Sequence, residues 1–172
     1  MSLDTATNNL NFLGKNAFHF TLEKYKDFSY FVQAVNMPGV SIQNIDMQTP
    51  FKTLAFPGST LAYENLTIEF VVDENMNNYL QIFSWMKGLG FPDSNTQYVQ
   101  LLNESDSLTE NSKTVSNARL MINNLHNNTI KTIEFRDVMP ESLSSLDFSV
   151  NNTDIEYHIA TVTFKYSSFD VV

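Results

Sequence analysis

Apolar and polar residues alternate with period two in several parts of this chain, and in one part the period lengthens to that of a helix. In "AFHFTLEKY" the residues Phe18, Phe20 and Leu22 share one face while His19, Thr21 and Glu23 share the other, the pattern of a half-buried strand. A turn at Lys26-Asp27 leads to a second expected strand over 28–36, ended by Pro38-Gly39, and the two strands are expected to pair as a hairpin. "ENLTIEFVVDE" alternates most cleanly, with Leu66, Ile68, Phe70 and Val72 inward and Thr67 and Glu69 outward. Directly after it, Met76, Tyr79, Leu80, Phe83 and Trp85 or Met86 recur at helical spacing. Asp73 and Glu74 suit the positive start of a helix and Lys87-Gly88 its end, so the spacing predicts a helix over 75–87 whose apolar stripe is core, not a cofactor box.

Residues 90–117 turn polar around one short apolar patch at Tyr98, Val99, Leu101 and Leu102, and read as an insertion or long loop. A strand resumes at "ARLMINNL", and "TIKTIEFRDVM" forms another that Pro140 is expected to end. "LSSLDFSV" and "IEYHIATVTFKYSSF" are expected to close the chain as a hairpin about Asn151-Asn152. In the last strand the apolar parity shifts from Ile155, Tyr157 and Ile159 to Ala160, Val162, Phe164 and Tyr166, which predicts a bulge near Ile159 or cover on both faces. The reading is mainly β, about seven strands with one α-helix, in a single domain over 17–172 after a flexible arm at 1–16.

One stretch fits neither period. Between Pro38-Gly39 and Pro57-Gly58 the chain is too apolar for a solvated linker and too irregular for a helix. It carries Ile42, Ile45, Met47, Phe51, Leu54 and Phe56, which left in water make an aggregation-prone patch. The two Pro-Gly pairs serve as hinge turns, holding direction while removing ladder donors. Two covers compete: a neighbouring subunit, or the chain's own sheet with the segment folded back as a flap. Burying some five of these side chains at roughly 1.5–3 kcal/mol each gives about 7.5–15 kcal/mol per subunit, an upper bound before ordering costs.

Composition narrows the chemistry. The 172 residues carry 19 acidic and 10 basic side chains, a net charge of -9. Only Arg119 and Arg136 supply guanidinium groups, so binding of nucleic acid is disfavoured and an acidic surface would instead keep a passing polyanion mobile. Without cysteine there is no disulfide, thiolate metal site or cysteine nucleophile. The N-terminus lacks the basic start and apolar run of a signal peptide, and no apolar run nears the length of about 18 that spans a bilayer, so a soluble product with no membrane partner is expected.

His19, His126 and His158 stand in no HxH or HExxH pattern, and no GxSxG elbow, P-loop or GxGxxG occurs; "GLGF" at 88–91 reads as a helix stop. Asp73-Glu74 and the Glu104/Asp106 pair carry no sequence signal of burial or of a partner, so no glycosidase-like carboxylate pair is expected. No catalytic residue, cofactor or metal is expected. The Asn-rich pieces "ENMNNY", "NNLHNN" and "VNNTD" read as turns, and the alternative they leave is a monomeric carbohydrate-binding β-sandwich module.

Taken in order, "FHFTLEKYKDFSYFVQAVNMPGV", the excursion, "YENLTIEFVVDENMNNYLQIFSWM" and "KTIEFRDVMPESLSSLDFSVNNTDIEYHIATVTFKYSSF" resemble the tail tube protein family of contractile-tailed phages. The resemblance rests on the Asp73-Glu74 strand–helix junction, Trp85 near the helix end, Pro140, and a closing strand from Ile155 to Phe169, and it covers 17–86 and 131–169. It implies a β-sandwich or barrel-like subunit with an extended intersubunit hairpin or loop. Six such subunits would form a ring of the tube, or of its baseplate or head-proximal extension, the polar middle being the departure that suggests the specialised rings. The implied partners are further copies of the chain, adjacent tube, sheath or baseplate proteins, and DNA that passes without specific binding. The implied location is the virion tail, assembled in the host cytoplasm. Glu23, Glu69 and Asp147 are the acidic candidates for the lumen.

Overall fold

The inward residues of the first strand and those of the strand at 66–71 meet across one hydrophobic core. A computed structural model describes residues 13–90, 94–103, 114–150 and 156–172. In chain order the elements are β1 (Phe18–Leu22), a 3-10 helix (Lys26–Phe31), β2 (Val32–Val35), β3 (Val40–Gln48), β4 (Thr53–Tyr63), β5 (Leu66–Val71), α1 (Asn77–Gly90), α2 (Asn95–Asn103), β6 (Ser116–Asn123), β7 (Thr129–Leu143), β8 (Ile159–Lys165) and β9 (Ser168–Val171). Seven strands make one sheet in the order β1-β6-β7-β8-β5-β2, with β9 also against β7, and β3 and β4 pair only with each other.

β7 turns this sheet into two facing layers. Its first part pairs with β6 and β9 and its last residues with β8, from Ile133↔Val171 at one end to Leu143↔Val162 at the other. Asp137, at φ 54, lies where the β6–β7 register shifts, and the bulge bends the strand at the corner. Phe20, Leu22, Leu120 and Phe135 then face Ile68, Phe70, Val162 and Phe164, all buried. α1 adds Ile82 and Trp85; the indole N–H donates to the Thr114 carbonyl at 2.9 Å, Tyr25 meets the ring edge-on at 5.9 Å, and the Lys24 ammonium lies 5.2 Å from its centroid. Buried Asn78 joins strand to helix, its amide donating to the Val71 carbonyl at 2.7 Å and its oxygen accepting from the Asp73 and Tyr79 amides at 3.2 and 2.8 Å.

Several expectations are corrected. β1 and β2 are not a hairpin: β1 pairs with β6 and β2 with β5. Residues 28–31 are 3-10 helix instead of strand, because Phe28 caps the core 4.7 Å from Phe70 while the chain crosses from one layer to the other. α1 runs on through Gly88, where an added Cβ would stand 2.9 Å from Leu101 Cβ; the glycine admits α2, and is not a stop. The polar middle therefore holds a helix with Leu101 buried, while 91–93 and 104–113 fall outside the described residues, as does 1–12 of the N-terminal arm.

Pro140 does not end β7. It is buried opposite Phe164, and the register shifts beside it, which is where a sheet tolerates a missing donor. The parity change in the last strand resolves without a bulge: β8 begins at Ile159, its core phase is Ala160, Val162 and Phe164, and Tyr157 and Ile159 are exposed. Residues 144–150 form no strand, and the turn expected at Asn151-Asn152, like Ile155, lies outside the described residues. Among the described residues there are thus nine strands and two α-helices, not about seven and one.

Candidate assembly surface

The excursion is an antiparallel ribbon. β3 and β4 are joined by a turn in which the Thr49 amide donates to the Lys52 carbonyl at 3.1 Å and the Thr49 hydroxyl to the same oxygen at 2.6 Å. In its outer half the opposed pairs Ile45↔Phe56 and Met47↔Leu54 are apolar, while Asp46↔Ala55 and Gln48↔Thr53 take the other face. Nearer the body, Val40↔Tyr63 and Ile42↔Leu61 form a second apolar pairing that the sequence reading missed in part, naming only Ile42. Every residue of β3 is exposed, Ile45 to 63% and Phe51 at the tip to 98%, and only Leu54 of the six candidates is half-buried. An arm of this length reaches about 30 Å, and a two-stranded ribbon on its own is marginal in water.

The two Pro-Gly pairs take different places. Pro38 and Gly39 stand at the root, whereas Pro57 and Gly58 lie within β4, where one residue of β3 opposes three of β4 between Ile42↔Leu61 and Asn44↔Pro57. A Cβ on Gly58 would come 2.2 Å from the Gln43 carbonyl oxygen, so backbone passes backbone there too closely for any side chain. Gly58→Ala is expected to loosen the outer half of the arm, seen as faster amide exchange over 44–57, with protection of β5 and β8 unchanged.

The root is braced. The Glu64 amide donates to the Gly39 carbonyl at 3.0 Å and the Gly39 amide to Glu64 Oε2 at 3.3 Å. The Tyr166 hydroxyl donates to the Glu64 carbonyl at 2.9 Å, and Tyr63 packs between Tyr166 and Phe169 at 6.0 and 5.6 Å. Burial pushes the Tyr166 phenol above its ordinary value, and the neighbouring Tyr63 and Glu64 add to the shift. A raised phenol keeps its proton at neutral pH, and its contribution to the brace is lost only as alkali carries the pH through that raised value.

The acidic candidates lie on separate surfaces. Glu23, just past β1, meets Arg119 at 3.3 Å; Arg119 also holds Glu134 at 3.0 Å, and Arg136 holds Asp170 at 2.8 Å. Both arginines of the chain thus stand in ion pairs on the outward face of the β1-β6-β7-β9 layer. Glu69 is on the outward face of the other layer, flanked in register by Thr161 and Ala34 near Thr67 and Thr163, with no ion pair among the described residues. Asp147 is exposed on the β7–β8 connection, where Phe148, Val150 and Tyr157 form a further exposed apolar set and Phe148 lies 4.6 Å from the His158 ring.

The asparagines of "NNLHNN" act locally. Asn127, at φ 61, and Asn124, whose side chain accepts from the His126 and Asn128 amides at 2.9 Å, shape the β6–β7 turn; "VNNTD" is outside the described residues.

The family model for phage tail tube proteins matches residues 2–172. The tail tube terminator protein of Enterobacteria phage T4 is 26% identical over 155 residues, 84% of this chain and 78% of that protein. Among solved structures, the tube-terminating cap of the anti-feeding prophage superposes with a TM-score of 0.65 at 12% identity, over 100% of this chain and 99% of that one. The sheath/tube terminator of the extracellular contractile injection system PVC, in its extended state, gives 0.64 at 12% identity over 95% and 99%. The β-sandwich-like fold is common to them.

Proposed function

Since this chain belongs to the phage tail tube protein family, we propose that it is a tube terminator, a ring of six copies that ends the tail tube and leaves a conduit for DNA. The observation that carries this reading is the arm: a largely exposed apolar ribbon, braced at its root, whose two strands pair only with each other among the described residues. The terminating position follows the T4 relative, and the ring of six is what the resemblance to the family implies. The work is geometric and needs no catalytic group. Among the described residues β1 and β2 each pair on one side only, and closing a ring satisfies such edges with those of the next subunit.

The Glu69 face is assigned to the lumen. It offers threonine hydroxyls, one carboxylate without an ion pair among the described residues, and a lysine, Lys165, already held by Glu141 at 2.8 Å, whereas the opposite layer carries both guanidinium groups, which are the side chains that grip phosphate. Sheath or other tail proteins are left the outer surface, and the exposed Phe148, Val150 and Tyr157 are proposed as one of their contacts.

Light scattering and negative-stain microscopy of the purified protein are expected to give rings of six times the 19.6 kDa subunit mass. Added to growing tubes of the same virus, these rings are expected to stop elongation and to appear at one end. A monomer at every concentration overturns the ring, and rings that stack without limit overturn the terminating position in favour of a repeating tube subunit.

A further inference from the structure

We propose that the tip of the arm seats in a groove between the 3-10 helix and α1 of a neighbouring copy of this chain, an inference that rests on the ring reading and names the surface receiving the arm. The groove, about 460 Å³, is lined by Asp27 and Phe31 of the 3-10 helix, by Asp73, and by Leu80, Gln81 and Ser84 of α1. Its polar lining sets the two carboxylates beside the amides of Asn77, Asn78 and Gln81, and Gln81 Oε1 is buried without a hydrogen-bond partner among the described residues. Leu80 and, one turn further on, Phe83 leave apolar surface exposed beside it.

The tip offers the matching groups. Phe51 is the most exposed aromatic of the arm, and Lys52 beside it is the one cation in residues 37–63, without an ion pair among the described residues. A groove of this size holds a small ligand. It therefore accepts an aromatic side chain with an ammonium at the rim, and not a whole strand. A neighbour is the receiver because β3 is exposed along its whole length and the ribbon pairs with no other strand among the described residues, while an arm of this length reaches about 30 Å. Each copy then gives one tip and receives one, the head-to-tail contact that closes a ring.

The absence of cysteine makes the test direct. Pro50→Cys at the tip and Ser84→Cys at the groove both alter exposed positions outside the core. Under mild oxidation an equimolar mixture of the two single variants is expected to give a disulfide-linked dimer that neither gives alone, and the double variant a covalent ladder ending at the ring. Lys52→Glu is expected to weaken ring formation severalfold at low salt, Asp27→Lys in the same chain to restore most of it, and both effects to shrink at high salt. Rings of full mass without the mixed dimer overturn the docking and leave the ring standing. Monomers at all concentrations, measured by light scattering on the parent chain, overturn both.

Discussion

Replacing residues 45–56 by an Asn-Gly turn between Asn44 and Pro57 is expected to leave a folded subunit that forms no rings. The two flanking residues are already opposed in register, so the shortened ribbon can close with a tight hairpin turn. No core residue is removed: the excised side chains are exposed, apart from half-buried Thr49 and Leu54. The circular dichroism spectrum and the melting temperature should stay near those of the parent, because exposed substitutions move stability by about 0.5 kcal/mol or less. Assembly should disappear, because Ile45, Met47, Leu54 and Phe56 together hold an upper bound of about 6–12 kcal/mol of burial per subunit at the usual value per side chain. A variant that unfolds would mean the arm covers its own sheet, and one that still forms rings would place the assembling contact elsewhere.

Trp85→Ala is expected to act in the opposite way, lowering stability by about 3–5 kcal/mol and the melting temperature by roughly 10 °C. The indole is fully buried, touches Tyr25 and Phe164, and donates to the Thr114 carbonyl. Its removal opens a cavity between helix and sheet and deletes the hydrogen bond that ties α1 to the segment entering β6. Trp85→Phe keeps most of the apolar contact and loses the donor, so it should cost less than half as much. Thermal and urea unfolding of both variants, beside Phe51→Ala as an exposed aromatic control, separate these terms. Equal melting temperatures for Trp85→Ala and Phe51→Ala would contradict the burial on which the fold rests.

The difference between these two aromatics marks how far the chain could be read before it was folded. Both are large and apolar. Trp85 lies in a run with helical period, and a period assigns a face, so its burial was legible from its neighbours. Phe51 lies in "TPFKT", where no period operates, and the residues alone allowed a flap as readily as an arm. The acidic candidates show the same boundary: Glu23 and Glu69 are both outward positions of alternating strands, but strand pairing sets one beside Arg119 and leaves the other among threonines.

Pairing partners also escaped the sequence. Nothing local distinguishes β1 joined to β2 from β1 joined to β6, because alternation names the buried face of a strand and is silent about its edges. The Gly58 bulge and the Gly88 contact were hidden for a related reason: each glycine is needed because another part of the backbone or a distant side chain passes close by, and that neighbour exists only once the chain is folded.

By itself, then, the order of apolar and polar residues determined the strand-rich class, the inward faces of β1 and β5, the helix around Trp85, the absence of the common catalytic motifs, and an apolar excursion that has to be covered. Only the tertiary structure decided that β7 bends to make two layers, that the excursion is a braced ribbon with Pro57-Gly58 at its middle, and which carboxylates are paired. The physical reason is range: periodicity records the side of an element that leaves water, a property of neighbouring residues, whereas register, close approach and ion pairing join positions up to about a hundred residues apart, as Thr21 and Arg119 are across β1 and β6.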